Sequence, residues 1–455
     1  MRLAIFIYSL ACTLAACSSE SGETTANGAD AGMLDTTVAA DTADADTPDA
    51  DTVDEDIGDV LDAGPDAPGG DVGSDAATPG LPSLPVVDRT TDEIAIVERR
   101  TESLGGATYE IDFYRNNAYD CGLSGNYTFM VVNPGNGTAD DAAPLWVYLH
   151  GGGVGFFDED GDYVAVNNQT ADTWNHEESF DSLVETLTVR TIDDGQVEDN
   201  TLTRRIREGY RVAVVSMCDH DQYAGLGTPY PNNPNLDAQV NGLQATMAAV
   251  DYVAHSYPTT HVFAHGTSAG SVGVYALALS YSAEDQALTG VVADSVLSPR
   301  GSRIQEVYAG EPGFPQQAGF DPAAVNEKIG FYRDPESGAD PETRIQAGFD
   351  LTPLLFVGGL ADPQCGWGLP LLAEAEADGF ESNCAWVAAG LTEVIEAAPA
   401  SPHRVALFVG EGHVPTINPG ASHDVVDAFL DDILATDPPY PFPFLESGLI
   451  VDRTP

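Results

Sequence analysis

The chain has 455 residues and carries 72 acidic against 17 basic side chains, a formal charge of −55 at pH 7. Charge of that sign repels nucleic acid and anionic lipid headgroups, which excludes nucleic-acid binding as a function class and suits a salty medium. Lys328 is the only lysine, so nearly all the positive charge that remains is guanidinium.

Met1 to Cys17 reads as a short export signal, with Arg2 as a basic start and an apolar run from Leu3 to Leu14. That run is too short to span a bilayer. Leu14-Ala-Ala-Cys17 resembles a bacterial lipobox. The resemblance implies export, lipidation at Cys17, and a membrane anchor in the bacterial cell envelope. The alternative is an ordinary signal peptide cut near Ala16. Ser18 to Pro82 is almost all Asp, Ala, Thr, Gly and Pro, with no Lys or Arg. Such a segment buries too little apolar surface to offset the entropy of ordering it, and its carboxylates extend it. It is expected to be a disordered acidic tether. Residues 83–455 then form one large domain, with ample chain for a core.

Within that domain, short β-rich apolar runs alternate with helical patterns, which predicts a mostly parallel sheet with helices on both faces. Tyr109–Tyr114 and Tyr127–Val132 read as a first pair of strands, followed by Leu145–Leu149 and Val212–Val215. Leu236–Ser256 has Val240, Leu243, Met247, Val250 and Ala254 at helical spacing. His261–Ala264 is the next strand, then a turn and a helix over Ala269–Ser280. Gly290–Ala293, Leu354–Val357 and Val405–Val409 complete the strands. Asp424–Leu434 closes the chain as an amphipathic helix with Val425, Val426, Phe429, Leu430 and Ile433 inward. Two insertions, Phe156 to about Arg207 and Leu297 to about Phe349, are expected to form a cap over the sheet.

The chemistry concentrates in two glycine-rich turns. Gly266-Thr-Ser268-Ala-Gly270 fits the G-x-S-x-G nucleophile elbow, placed between a strand and a helix as that motif requires. His150-Gly151-Gly152-Gly153 follows the strand ending at Leu149. A loop of this kind supplies backbone N–H groups to an oxyanion hole, and the expected donors are Gly151, Gly152 and Ala269. Together these motifs predict the α/β-hydrolase fold with Ser268 as nucleophile. The order Ser, acid, His then selects the partners. Asp362 follows an apolar strand and is the favoured acid, with Asp294 as the alternative. Beyond Asp362 lie His403, His413 and His423. His413 follows the last strand and is the favoured base, His423 the alternative. The base takes the serine proton and the acid fixes its tautomer. No cofactor or metal is expected. Asp158, Asp160 and Asp162 alternate around Gly161 as in a calcium loop, but position twelve is Gln169 rather than Glu, so a solvated loop is favoured.

Several segments resemble the pectin acetylesterase and Notum group of serine esterases. They are Cys218-x-x-Asp221-x-Tyr223-x-Gly225, the Ser268-Ala-Gly-x-x-Gly273-Val274 nucleophile segment, Ala293-Asp294-Ser295, and Asp362-Pro-Gln364. The resemblance runs in islands from about Leu145 to His413. It departs at His150, where that group usually has an acidic residue, and in lacking a nearby Cys. It implies hydrolysis of small acyl esters, such as acetyl groups on a polysaccharide.

Four cysteines remain in the domain and are expected to form two disulfides, for which three pairings are possible; the expected fold favours Cys121–Cys218 and Cys365–Cys384. Cys121 precedes one strand and Cys218 follows its antiparallel neighbour, so both fall at one sheet edge. Cys365 and Cys384 share a loop region and are expected to brace Asp362. Tyr223, Tyr230 and Trp367 are candidates for stacking on sugar rings, with plain loop packing as the alternative. Three functions compete: an esterase for short glycan esters or, through the apolar Gly153–Phe157 run, for lipid esters; a serine peptidase on the same scaffold; and a surface binding protein that has lost catalysis.

Overall fold

The computed structural model describes residues 83–104, 106–122, 124–153, 155–157, 163–165, 176–187, 190–191, 197–198, 200–230, 239–284, 286–295, 339, 341–347, 352–360, 362, 380, 383–397, 402–408, 414–417 and 421–435. The chain divides into units of Met1–Ser74 and Asp75–Pro455, and every described residue belongs to the second.

Nine strands make the central sheet. They are β1 (Ile94–Leu104), β2 (Ala107–Asp120), β3 (Asn126–Val132), β4 (Ala143–Leu149), β5 (Arg211–Val215), β6 (Thr259–Thr267), β7 (Gly290–Asp294), β8 (Leu354–Gly359) and β9 (Arg404–Phe408). Their spatial order is β1-β2-β3-β5-β4-β6-β7-β8-β9. β1, β2, β3 and β5 pair antiparallel in turn; from β5 onward every pair is parallel. This topology is that of the α/β-hydrolase fold.

Side-chain alternation explains the layers. On β4, Leu145, Val147 and Leu149 enter one core with Met247, Val250, Val274 and Leu277. Trp146 and Tyr148 enter the other with Leu202, Ile206, Val426, Phe429, Leu430 and Ile433. A strand that buries both faces must be apolar throughout, and Leu145–Leu149 is. One face is therefore covered by α3 (Gly242–Ser256) and α4 (Ala269–Ala283), the other by α2 (Thr201–Arg207) and α7 (Ala421–Leu434). The inward residues of α7 fall at helical spacing, as the sequence predicts. Among the described residues, three further helices are α1 (Phe180–Glu185) before α2, and α5 (Pro341–Gln346) and α6 (Asn383–Ala397) after β7.

Several boundaries differ from expectation. β1 is an unforeseen edge strand, half-buried on alternate residues, with a bulge between Ile96 and Glu98. Helix α3 begins at Gly242 instead of Leu236, because Gln239–Val240 pairs with Thr228–Pro229 in a two-stranded ribbon. The Asp221 carboxylate then takes the Gly242 N–H at 2.8 Å. Cys384 lies in the first turn of α6 instead of a loop, while Cys365 lies outside the described residues. Most of the two cap insertions also lies outside them.

The Cys121–Cys218 bridge is present, with its Cα atoms 5.5 Å apart. It joins the end of β2 to the end of β5 beside two fully buried carboxylates. Asp219 accepts from the Gly122 and Asn241 N–H groups and from the Tyr127 and Tyr230 hydroxyls. Asp221 accepts from the N–H groups of Tyr223, Gly225 and Gly242. These bonds hold three non-glycine residues of one loop, His220, Gln222 and Tyr223, at positive φ. Each such residue costs about 1–3 kcal/mol and persists only where its surroundings over-determine it.

Candidate active site

Parallel register brings the carboxyl ends of four strands level: Leu149 pairs with Gly266, Thr267 with Asp294, and Asp294 with Val357. Ligands of open α/β sheets bind at this edge. β6 runs to Thr267, and α4 begins at Ala269, so Ser268 alone makes the turn. Its backbone is at φ 52°, ψ −120°, a strained geometry for a residue with a side chain. The flanking glycines make this turn possible. A Cβ on Gly266 would lie 2.0 Å from Gly270 O, and one on Gly270 would lie 2.0 Å from Leu149 O. The Ser268 N–H donates to Asp294 O at 2.8 Å, which ties the turn to β7.

The expected oxyanion donors sit around this serine. Gly151 packs so closely that a Cβ there would lie 2.8 Å from Ser268 Cβ. Ala269 opens α4, where backbone N–H groups have no intrahelical acceptor and the helix end is partially positive. The preceding residue, His150, is buried. Its Nδ1 lies 2.8 Å from Gly151 O, and its Nε2 lies 3.1 Å from Glu178 Oε2.

Asp362 is buried three residues beyond β8, and its N–H donates to Gly359 O at 3.1 Å. Asp294 ends β7, the strand between the nucleophile and β8, and is fully buried. Its Oδ1 accepts from Ser295 Oγ at 2.7 Å, and its Oδ2 accepts from both the N–H and the hydroxyl of Thr416. His413 lies outside the described residues, but the chain resumes directly after it. Val414, at φ 53°, donates its N–H to Ser295 Oγ at 2.5 Å. Asp294 and Ser295 thus hold the segment that follows His413, while the Asp294 carbonyl holds the Ser268 turn.

The other histidines have local duties. His265, on β6, faces the Thr416 hydroxyl at 2.8 Å. That hydroxyl gives its own proton to Asp294, so His265 Nε2 is the donor, and the buried Nδ1 has no partner. Burial first, then the Arg205 and His423 charges, pushes His265 down to about 3. His423, the alternative base, lies 2.7 Å from Thr201 Oγ1, whose proton goes to Thr416 O. His423 therefore donates to Thr201, a bond that ties α7 to α2. His403 accepts the Leu354 N–H at the opposite end of β8.

Two expectations are corrected here. Tyr223 and Tyr230 are not sugar-stacking surfaces. Both are buried, Tyr223 fully, and the Tyr223 hydroxyl donates to His150 O and Val215 O while that of Tyr230 donates to Asp219. Loop packing wins because each phenol finds acceptors in the interior. Trp367, Cys17 and the aspartates 158, 160 and 162 lie outside the described residues. Glu178, His265, Ser295 and Thr416 are the residues sequence reasoning missed. Only Ser295 carried a signal, in the Ala-Asp-Ser run after β7.

No family model matches the sequence, and no curated protein matches it. Solved structures do. A glucuronoyl esterase from Solibacter usitatus is 11% identical, with 78% of this chain and 88% of that one covered at a TM-score of 0.41. An S-formylglutathione hydrolase from Agrobacterium tumefaciens is 13% identical over 74% of this chain and 96% of its own, at 0.35. Dipeptidyl peptidase 4 from Porphyromonas gingivalis is 12% identical over 75% of this chain and 42% of its own, at 0.34.

Proposed function

We propose that this chain is a serine carboxylic ester hydrolase acting on short acyl esters of an extracellular glycan, and that it is held at the bacterial envelope by a lipid on Cys17. The observation that carries the catalytic part is the strained Ser268 turn with Gly151 packed against it. A hydroxyl at the carboxyl edge of a parallel sheet, beside backbone N–H groups, suits attack on an acyl carbonyl and capture of the oxyanion.

In this reading His413 removes the Ser268 proton as the hydroxyl attacks, and returns it to the leaving alcohol. The acyl group passes to Ser268, and water activated by His413 then releases the acid. Asp362 orients His413. Asp294 is less suited to that task, since its carboxylate already accepts three hydrogen bonds, from the Ser295 hydroxyl and from the N–H and hydroxyl of Thr416. Its part is to hold the His413 segment. The acetyl preference rests on the resemblance to the pectin acetylesterase group, and an acidic tether suits an enzyme that must reach surface material.

Fluorophosphonate labelling and acetate release from acetylated pectin and xylan test the proposal together. Wild-type protein should label and release acetate. Ser268→Ala should not label, and its kcat should fall by roughly 10³-fold or more. Asp362→Asn should also fall far more than Asp294→Asn. Near-normal turnover in folded Ser268→Ala protein removes the serine mechanism. Cleavage of palmitoyl in preference to acetyl esters, with no acetate from either glycan, removes the substrate class.

A further inference from the structure

Both ring nitrogens of His150 face groups that only accept hydrogen bonds when Glu178 is ionised: the Gly151 carbonyl at Nδ1 and the carboxylate at Nε2. A neutral imidazole has one N–H and can satisfy one of them. An imidazolium satisfies both. The Glu178 main chain is fixed, since its carbonyl accepts the Thr128 hydroxyl at 2.8 Å and Glu177 beside it bonds Asn126 N–H and Arg115; of its carboxylate oxygens, Oε2 meets His150 and Oε1 is buried without a partner.

The contacts of this pair bear on catalysis through peptide planarity. The Gly151 carbonyl and the Gly152 N–H belong to one planar peptide and point in opposite directions. Holding the carbonyl therefore aims the N–H. One peptide earlier, the Tyr223 hydroxyl shares its single proton between His150 O at 3.3 Å and Val215 O at 3.2 Å, and so bears on the direction of the Gly151 N–H. Two of the three expected oxyanion donors, Gly151 and Gly152, are thus oriented from behind, by a phenol and by an imidazole.

We propose that His150 and Glu178 form a buried imidazolium–carboxylate clamp that orients the Gly152 N–H, an expected oxyanion donor, and that the site loses this donor when the imidazolium gives up its proton. The inference rests on the esterase reading above, in which these glycines receive the oxyanion. Glu178, from the segment before α1, and Tyr223, from the loop after β5, face the ring. Burial pushes the Tyr223 phenol well up, so it stays neutral. Burial of His150 opposes its charge, but the Glu178 charge and bond and the Gly151 bond outweigh it, so the ring holds its proton above the ordinary histidine range. On deprotonation the remaining proton stays with the carboxylate, the stronger acceptor, and the Gly151 carbonyl is released.

His150 and Glu178 are thus positioning residues, and the sign of their effect separates them from the base. His413 must be neutral, so activity rises with pH through its titration. His150 must be charged, so kcat falls as pH rises through its titration. In Glu178→Gln the amide can donate to a neutral Nε2 while Nδ1–H still holds Gly151, so the alkaline limb should flatten. His150→Phe removes the clamp and should lower kcat roughly 10-fold or more with little change in KM, since a mis-aimed oxyanion donor acts in the transition state.

The experiment pairs pH profiles of wild type, Glu178→Gln and His150→Phe with imidazole nitrogen NMR on histidine-labelled Ser268→Ala protein. The NMR needs no turnover. At pH 7 the His150 signals, assigned by their loss in His150→Phe, should report two protonated nitrogens, and in Glu178→Gln only Nδ1 should be protonated. A singly protonated His150 at pH 7 in otherwise unaltered Ser268→Ala protein, or an alkaline limb that persists unchanged in Glu178→Gln, overturns the clamp. Absence of esterase activity in wild type, with the NMR result as expected, instead overturns the functional reading on which the catalytic role depends.

Discussion

Thr416 shows how much one side chain can organise. Its hydroxyl donates to Asp294 and accepts from His265, its N–H donates to Asp294, and its carbonyl accepts from Thr201. Strands β6 and β7 and helix α2 therefore meet at the residue three positions after His413. Thr416→Val keeps the shape and removes the hydroxyl. It leaves His265 Nε2 without an acceptor and Asp294 with one bond fewer, and a buried group left unsatisfied costs about 1–3 kcal/mol. Urea unfolding should show a loss of that size, and kcat should fall with KM nearly unchanged if the His413 segment shifts. A variant as stable as wild type would mean that the hydroxyl does not hold these elements together. The depressed His265 adds a pH dependence of definite sign. The unfolded chain binds its proton near the ordinary histidine pKa and the folded chain does so only near 3. The neutral ring thus contributes full stability above the unfolded value, and this is lost as pH falls from about 6.5 toward 3.

The element that matters most outside the two glycine-rich turns is the loop after β5. It carries three residues at positive φ, yet it places the Tyr223 hydroxyl against His150 O. Its geometry is held by Asp219 and Asp221 and by the Cys121–Cys218 bridge, which closes 97 residues. A crosslink over a span of that length contributes about 2–5 kcal/mol, mainly by restricting the unfolded chain. The paired Cys121→Ala and Cys218→Ala variant should lose stability of that order in urea. It should also lose some kcat, because the loop that aims the Gly151 N–H is loosened. Loss of stability with unchanged kcat would separate the bridge from the site. Reductant should cost wild type more stability than it costs the variant, which keeps only the expected Cys365–Cys384 pair.

At the scale of the whole molecule, the charge of −55 sets the response to salt. Self-repulsion of like charges destabilises a compact state, and salt at 1 M shortens the screening length to about 3 Å. The ion pairs oppose this trend only weakly. Arg89 with Asp251 and Glu284 is largely buried, and exposed pairs such as Arg100 with Asp181 contribute little at any salt. Melting temperature should therefore rise steadily as sodium chloride goes from 0.05 to about 1 M, read by calorimetry at pH 7. A flat or falling curve would show that the acidic groups are spaced widely enough not to repel.

The sequence by itself determined whatever depends on neighbours in the chain. Alternating or continuous apolar runs marked eight of the nine sheet strands, and Gly266 with Gly270 marked the turn that exposes Ser268. These are short-range signals, because a strand's faces and a turn's steric limits are set within a few residues. β1 escaped notice because a half-buried edge strand carries polar residues on every second position. Only the tertiary structure decided the supports of the site. Glu178 reaches His150 across 28 residues, Tyr223 reaches it across 73, and Thr416 reaches Asp294 across 122. Nothing in the local spacing of those residues announces the contact. Tyr223 reads in sequence as either a sugar-stacking or a loop-packing aromatic, and the fold encloses it, since burial belongs to the assembled layers and not to the residue. In sequence Asp362, in the loop after a strand, reads as the favoured acid, and Asp294, at the end of the preceding strand, as the alternative. Only the folded chain brings Thr416 to Asp294, whose carboxylate accepts from its N–H and hydroxyl as well as from the neighbouring Ser295 hydroxyl.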